Sequence, residues 1–357
     1  MNTKGRELRG SGLILARGKS LDSKRTQNPL ATALLSQLRW KISDQEVNLF
    51  KLWNPVRGIV ARYNSQLMNN YIGKELDKRY DEYLRDMSTG QEPEGKSVIS
   101  LVFDGYLKQS GSKNPSLSLD KKLRSYATYQ IRTFLFAGHD TTSSSICHIF
   151  YLLSKNPSAL KKLRAEHDTV LGTSIEAAPE AISSNPHLLN QLTYTLAVVK
   201  EAMRLFPPAS GIRDGVEGIY IHDDAGHSYP TGGTFVWILH QTMQRDPKYW
   251  PQSNEFIPER WLVGPDDPLY PVKGTWRPFE HGPRNCIGQG LVLMELKIIL
   301  AMTVREFDIK DAYEEFDALR GKKGPRIKDV EGERAYQIEQ GGAHPADRFP
   351  CRVSLRN

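Results

Sequence analysis

Cysteine is scarce. Cys147, Cys286 and Cys351 are the only three in 357 residues. Thiols so few and so far apart build no disulfide framework, and no CxxC pair or His-x-x-x-His spacing marks a zinc site. This usage fits a reducing compartment. Long apolar runs are lacking too. The nearest to a spanning segment, GLVLMELKIILAMTV at 290–304, is shorter than the ~18 apolar residues required, carries Glu295 and Lys297, and reads as a buried helix. The start, MNTKGRELRGSG, has no apolar core, so neither a signal peptide nor a membrane anchor is expected. No glycine-rich phosphate loop follows a strand, which argues against a nucleotide-binding domain. The formal charge is +7, but basic residues are neither clustered nor interleaved with stacking aromatics. That excludes a nucleic-acid footprint and leaves a soluble basic surface or a docking face for an acidic partner. There is no internal repeat and no low-complexity segment.

What is present reads mostly as helix. Residues 1–44 are polar and weakly patterned, and are expected to be weakly ordered or atypical. From Asp44 to Asp86 apolar residues recur at helical spacing, and Pro55 divides the stretch into two helices. Residues 87–97 read as a loop. The longest helix candidate runs from about Asp120 to Lys155, with Ser118 as its cap and Asn156-Pro157 as its stop. It is apolar on more than one face, which places it in the middle of a fold. Its centre, FLFAGHDTTSSS, is poor helix chemistry, because glycine and serial Ser/Thr each weaken a helix by several tenths of a kcal/mol (roughly). A weak centre in a strong helix points to function more than to packing. Pro157 opens the next helix, which ends at Gly172. Residues 173–184 read as a loop, and 185–208 as a helix stopped by Pro207-Pro208. Residues 216–222 (VEGIYIH) and 234–239 (TFVWIL) read as strands. Irregular chain follows to Pro283, then a helix at 288–305 and a loop-rich, partly β tail. The expected class is mainly α with small β patches.

The stretch PFEHGPRNCIGQG (278–290) carries the most specific signal. Cys286 lies just before a helix that starts near Gly288. Unpaired N–H groups and the partial positive charge of a helix start favour an ionised sulfur, and Arg284 adds a full positive charge. Gly282 and Gly288 leave room for something flat and large to approach the sulfur, and Phe279 could shield it from water. Three readings compete: a structural cysteine, a nucleophile with His281 as its base, and a thiolate metal ligand. No oxyanion-hole signature or ordered His partner supports the second.

The spacing F-x-x-G-x-R-x-C-x-G, filled by Phe279, Gly282, Arg284, Cys286 and Gly288, resembles the haem-binding loop of the cytochrome P450 family. Glu201 and Arg204, in KEAMRLFPP, resemble the family's E-x-x-R helix, and Arg260, in IPERW, supplies its third member. AGHDTT (137–142) resembles the oxygen-binding stretch. The resemblance runs from about residue 45 to the end, most strongly after 120. The C-terminal half looks most like filamentous-fungal members of secondary metabolism. Two departures stand out: Glu280, where a glycine is common, and Val292, where a small residue is usual.

The resemblance implies a cytochrome P450 fold lacking its N-terminal part, because Thr141 arrives early in the chain. Residues 45–357 would be a partial catalytic domain, with the oxygen-binding helix at 120–155 and the haem-thiolate loop at 278–290. Cys286 would be the axial ligand of iron in haem b (iron protoporphyrin IX). Arg284, Phe279, Gly282, Gly288, Ala137, Gly138 and Arg213 would line the cofactor, with Arg284 and Arg213 as candidate propionate partners. Asp140 and Thr141 would pass protons through water, with the helix opened at this turn by a Thr hydroxyl bonding back one turn. Glu201, Arg204 and Arg260 would form a structural lock. Electrons would come from NADPH through a separate reductase-type flavoprotein, docked on a basic face near Arg284 and Lys297. The implied reaction inserts one oxygen atom from O₂ into a small lipophilic substrate. One alternative is a truncated remnant with impaired or no catalysis. Isomerase or dehydratase chemistry without external electrons is disfavoured by the Asp140–Thr141 pair. Family members are usually anchored in the endoplasmic-reticulum membrane; without an anchor, a cytoplasmic or peripheral location is expected.

Overall fold

The computed structural model describes residues 28–40, 54–89, 98–110, 118–320, 329–340 and 342–356. The first of the two helices expected between Asp44 and Asp86, and most of the expected loop at 87–97, lie outside the described residues. The chain is mainly helical with short antiparallel strand pairs. It divides into two units: residues 1–140 with 339–341, and residues 141–338 with 342–357.

The first unit is built on α1 (Pro29–Trp40), α2 (Val56–Thr89), α3 (Val98–Ser110) and the first part of α4 (Lys121–Lys155). Helix α1 starts with Pro29, whose missing N–H costs nothing there, and Asn28 Oδ1 accepts the Leu30 N–H at 2.9 Å. It buries Leu30, Ala33 and Leu34 in one cluster with Met68, Ile72 and Leu76 of α2 and Phe103 of α3. Tyr80 meets Phe103 edge to face at 5.3 Å. The cap of α4 is Asp120 rather than Ser118: its Oδ1 accepts the N–H groups of Lys122 and Leu123, both at 3.0 Å. A carboxylate at that position satisfies two open donors and faces the positive helix end. Arg124 then grips Asp77 of α2 with two bonds of 2.8 Å.

Helix α4 runs unbroken through its Ser/Thr-rich centre, so the opened turn expected there is not present. Ser144 donates outside the helix, to Ala343 O, and the buried Thr142 hydroxyl has no hydrogen-bond partner among the described residues; other hydroxyls of α4 add to the helical ladder instead of replacing it. Thr128 donates to Arg124 O at 2.7 Å and Ser145 to Thr141 O at 2.9 Å.

In the second unit the C-terminal part of α4 (Ile149, Phe150, Leu153) packs with α5 (Pro157–Leu171), α7 (Thr193–Leu205) and α9 (Gln289–Thr303). Gly172, at φ 80°, ends α5. The expected loop at 173–184 contains a helix, α6 (Ala178–Ser184), too short for periodicity to reveal. The helix expected over 185–208 is two pieces: a 3₁₀ turn at Pro186–Asn190, then α7. The break arises because Glu166 of α5 caps α7 from outside, accepting the N–H groups of Tyr194 (2.6 Å) and Thr195 (2.8 Å). Strand β1 (Gly211–Asp214) pairs antiparallel with β4 (Phe235–Ile238), Gly211 opposite Ile238. Strand β2 (Tyr220–His222) pairs with β3 (Ser228–Pro230). Residues 216–219, expected as strand, form a turn pinned by Thr231, whose hydroxyl reaches Val216 and Ile219 carbonyls. After the short helix α8 (His240–Met243) and the irregular segment, β5 (Phe307–Asp311) and α10 (Tyr313–Arg320) follow α9. Further short strands β6 (Gln337–Gln340) and β7 (Gly342–Pro345) precede β8 (Cys351–Leu355), which pairs with β5. Among the described residues no helix is long and apolar enough to cross a membrane.

The core holds two neutral histidines. His167 is fully buried beside Thr195, with Nε2 at 2.8 Å from its hydroxyl oxygen. That hydroxyl gives its only proton to Glu166 Oε2 at 2.6 Å, so the imidazole donates from Nε2. Nδ1 is buried with no partner, and a second proton there would be unsolvated. Burial accordingly pushes the His167 pKa down to about 4, and that of His148, stacked on Phe206 at 4.4 Å, down to about 3. Unfolding releases both rings to ordinary values near ~6.5. The stability they carry is therefore full above about pH 6.5 and is lost as pH falls through the acid range, at roughly 1.4 kcal/mol per pH unit for each ring. Urea unfolding between pH 6.5 and 4.5 should show this loss, and His167→Gln should remove about half of the slope. An unchanged slope in that variant would count against the buried neutral ring.

Candidate functional site

Glu201, Arg204 and Arg260 come together in the second unit. Glu201 and Arg204 stand one turn apart on α7, and Arg260 lies in the 3₁₀ turn Pro258–Trp261. All three are fully buried. Glu201 Oε1 accepts from Arg204 Nη2 (2.8 Å), Arg260 Nε (2.9 Å) and the Ile257 N–H (3.1 Å). Oε2 accepts from Arg204 Nε and from the Trp261 indole, both at 3.0 Å. One carboxylate faces two guanidinium groups, so the cluster carries an excess positive charge. Carbonyl oxygens offset it: Arg204 donates to Gln244, Ser253 and Glu255 at 2.6–2.8 Å, and Arg260 to Pro251 at 3.3 Å. The Trp250 ring lies under both guanidiniums, 5.1 and 5.7 Å from its centroid. Burial holds Arg260 below the ordinary arginine range.

Sequence reasoning missed the groups around this cluster. Gln244 donates its amide to Met203 O and Arg204 O, both at 3.1 Å, and accepts the Arg277 N–H at 2.7 Å. An aromatic chain leads on from there: Trp250 to Trp261 (5.9 Å), Trp261 to Trp276 (5.6 Å), Trp276 to Phe279 (5.8 Å). Lys200 stands over Trp261 and Trp276, at 5.3 and 5.8 Å. The adjacency of Arg260 and Trp261 in ERW is the one local hint of this packing.

The chain thus arrives at the cysteine loop. Phe279 is buried, and its carbonyl accepts the Cys286 N–H at 2.9 Å. Gly282, at φ 79°, opens a 3₁₀ turn that ends at Arg284. Gly288 caps α9, and a Cβ built there would sit 3.8 Å from Cys286 Sγ; at Gly282 and Gly290 a Cβ would meet open space. Cys286 itself is exposed. Ile287, Leu291 and Met294, at one-turn spacing beside it, are exposed as well, Ile287 by 87%. An apolar stripe at the mouth of a thiol-bearing loop is surface that the chain leaves uncovered.

Arg284 is exposed and makes no hydrogen bond or ion pair among the described residues. Arg213, on β1, is exposed and donates only to the carbonyl of its neighbour Ile212, at 2.9 Å. Neither guanidinium has a carboxylate partner. Lys297, expected on the basic face, is not free: it donates to Leu189 O at 2.6 Å, and burial lowers its pKa. On α4, Ala137 and Gly138 are exposed, Asp140 is buried and Thr141 half-buried. On the same helix His148 is a core ring and Cys147 is half-buried, its thiol pushed up to about 11 by burial.

In the first unit, residues of α1, α2 and α4 line an open pocket of about 820 Å³. Its walls include Leu34, Leu38, Met68, Tyr129 and Phe136, with Arg57 and Arg132 among the polar groups.

The family model described as Cytochrome P450 matches residues 21–320. The cytochrome P450 monooxygenase polC of Polytolypa hystricis is 42% identical over 94% of this chain and 59% of its own length. The cytochrome P450 monooxygenase acrF of Aspergillus aculeatus is 30% identical over 84% of this chain and 62% of its own. The cytochrome P450 monooxygenase PC-23 of Penicillium crustosum is 36% identical over 58% of this chain and 99% of its own. The chain therefore spans about three fifths of the length of the first two relatives. With a family match over most of its length, and mainly helical architecture with small sheets, this chain belongs to the cytochrome P450 family.

Proposed function

We propose that the chain is a haem-thiolate monooxygenase that inserts one oxygen atom from O₂ into a small lipophilic substrate. The observation that carries the proposal is the cysteine loop: an exposed thiol, oriented by the Cys286–Phe279 backbone bond, with Gly288 beside it and open space at Gly282 and Gly290. Among the described residues no group of three His, Cys, Asp or Glu side chains could hold a bare metal ion. A single thiol suits a metal already held by a macrocycle, and the exposed apolar stripe of Ile287, Leu291 and Met294 suits a flat apolar ligand. The residues present therefore fit haem b. When bound, it supplies the one-electron and O₂ chemistry, which a thiolate ligand tunes toward O–O cleavage.

Each residue then has a task. Cys286 holds the iron through its sulfur. Arg284 and Arg213, both without a carboxylate of their own, pair with the propionates, for which a planar fork of donors is well matched. Ala137 and Gly138 present a surface without bulk. Asp140 and Thr141, consecutive on α4, hold and move protons, with Asp140 placed out of bulk water. Glu201, Arg204 and Arg260 lock the segment that leads to the loop. The pocket of about 820 Å³ is of a size that takes a drug-sized lipophilic molecule. Electrons come from NADPH through a separate reductase flavoprotein. Fungal secondary metabolism is the setting, in keeping with relatives from Polytolypa, Aspergillus and Penicillium. We take residues 45–357 as the catalytic part.

The test is the CO-difference spectrum of the reduced, haem-loaded chain. A Soret band of the thiolate type is the expected result. Failure to take up haem, or a band of the neutral-ligand type, would overturn the proposal in favour of a remnant without catalysis.

A further inference from the structure

Within the cysteine loop, Glu280 alone combines a side chain with a left-handed backbone, at φ 59°. That conformation is disfavoured for any residue with a Cβ and persists only where the surroundings impose it. Here three neighbours do so. Glu280 Oε1 bonds to Nε2 of His240, and Oε2 accepts from Arg277 Nη2 at 2.8 Å. His240 is itself buried and fixed from its other side, with Nδ1 at 3.0 Å from Ala209 O. A carbonyl only accepts, so Nδ1 carries a proton. The third neighbour is an absence of bulk: a Cβ on Gly211 would stand 2.9 Å from Glu280 Oε1. Burial works to raise the Glu280 pKa, but the bonds from His240 and Arg277 outweigh it and hold the carboxylate below its ordinary range.

The backbone consequence is direct. Phe279 O, which accepts the Cys286 N–H at 2.9 Å, belongs to the same planar peptide group as the Glu280 N–H, which donates to Arg277 O at 3.1 Å. Turning Glu280 turns that plane, and with it the acceptor that orients Cys286. We infer that Glu280 is a positioning residue: held by His240 and Arg277 in the space beside Gly211, it fixes the Phe279–Glu280 peptide and thereby the direction of the Cys286 side chain. Its effect on iron ligation rests on the haem-thiolate reading; its effect on the loop does not.

Glu280→Gly separates the clamp from the strain, because glycine accepts the left-handed backbone without cost. Glu280→Gln keeps the shape and part of the hydrogen bonding. Amide hydrogen exchange at Cys286, in the full chain without added haem, should speed up about tenfold or more in Glu280→Gly, as expected when a charge-assisted clamp is removed. Exchange across α7 should stay as in the parent, and Glu280→Gln should restore part of the protection. In the haem-loaded chain the thiolate-type share of the CO-difference spectrum should fall in Glu280→Gly and partly recover in Glu280→Gln. If Glu280→Gly folds poorly, His240→Gln breaks the same clamp from the other side and is read in the same way. A Cys286 amide that exchanges within about twofold of the parent in these variants would overturn the inference. A parent chain that takes up no haem would instead count against the haem reading, and the exchange rates would still decide the role of Glu280.

Discussion

Replacing Cys286 with serine should abolish the thiolate-type Soret band of the reduced, CO-bound chain while leaving the fold intact. The two halves of that result follow from the same geometry. Cys286 is exposed, and its structural bond runs through its backbone N–H to Phe279 O, which serine keeps. Substitution at such a site changes stability by no more than about 0.5 kcal/mol. The sulfur, in contrast, is the only part of the loop that can supply a soft anionic ligand. A hydroxyl does not ionise where a thiol does, and it is a poor donor to iron. The measurement is paired: the CO-difference spectrum for ligation, and urea unfolding for the fold. A serine variant with an unaltered band would remove Cys286 from the site altogether. Loss of the band together with collapse of the fold would mean that the thiol is structural.

Glu201→Gln should be the most destabilising single change in the chain that alters so few atoms. The amide preserves the outline of the carboxylate, but it removes the sole counter-charge, among the described residues, of Arg204 and Arg260, both fully buried. It also turns an NH₂ toward at least one guanidinium donor. Breaking a buried ion pair from one side costs about 3–5 kcal/mol, against a total stability of about 5–15 kcal/mol for a typical domain. The damage would spread beyond the charges. Glu201 also accepts from the Ile257 N–H and the Trp261 indole, so the turn that carries Arg260 loses its anchor. We expect little soluble, cooperatively unfolding protein, and no thiolate-type spectrum from what remains. A Glu201→Gln chain that unfolds within about 1 kcal/mol of the parent would show that the cluster contributes packing rather than electrostatics.

The sequence made some of this legible, and physical range explains which parts. The cysteine loop and the Glu201–Arg204 pair are local patterns, with every group inside ten residues or one helical turn. Arg260 joins them only through the family resemblance, because 59 residues separate it from Glu201 and no local period links the two. The Glu280–His240 pair spans forty residues and follows no period, so nothing in the chain announced it. Glu280 was visible only as a departure from glycine, and its positive φ gives the reason a glycine would suit that position. Local competition decided other points. Asp120 and Ser118 are both good caps two residues apart, and only the backbone path selects the carboxylate. Strand β1 (GIRD) is four residues with one large apolar side chain, and its pairing with β4 overrides a weak propensity. Helix α1 was hidden in polar surroundings, although Leu30, Ala33 and Leu34 supply one buried face. The smooth course of α4 runs against composition: Ser145 finds a carbonyl within the helix and Ser144 one outside it, at Ala343, so neither hydroxyl displaces the backbone ladder.

The neighbouring indoles between the arginine cluster and the cysteine loop, in tilted and edge-to-face contact, carry an optical consequence. Trp250, Trp261 and Trp276 are three of the six tryptophans, each within 6 Å of the next. Excitation migrates readily over such short separations, so near-ultraviolet light absorbed by any one of them is shared. Half of the tryptophans therefore report on this region together, and the native emission serves as a built-in gauge of whether the path from Glu201 to Phe279 is closed, with no dye attached.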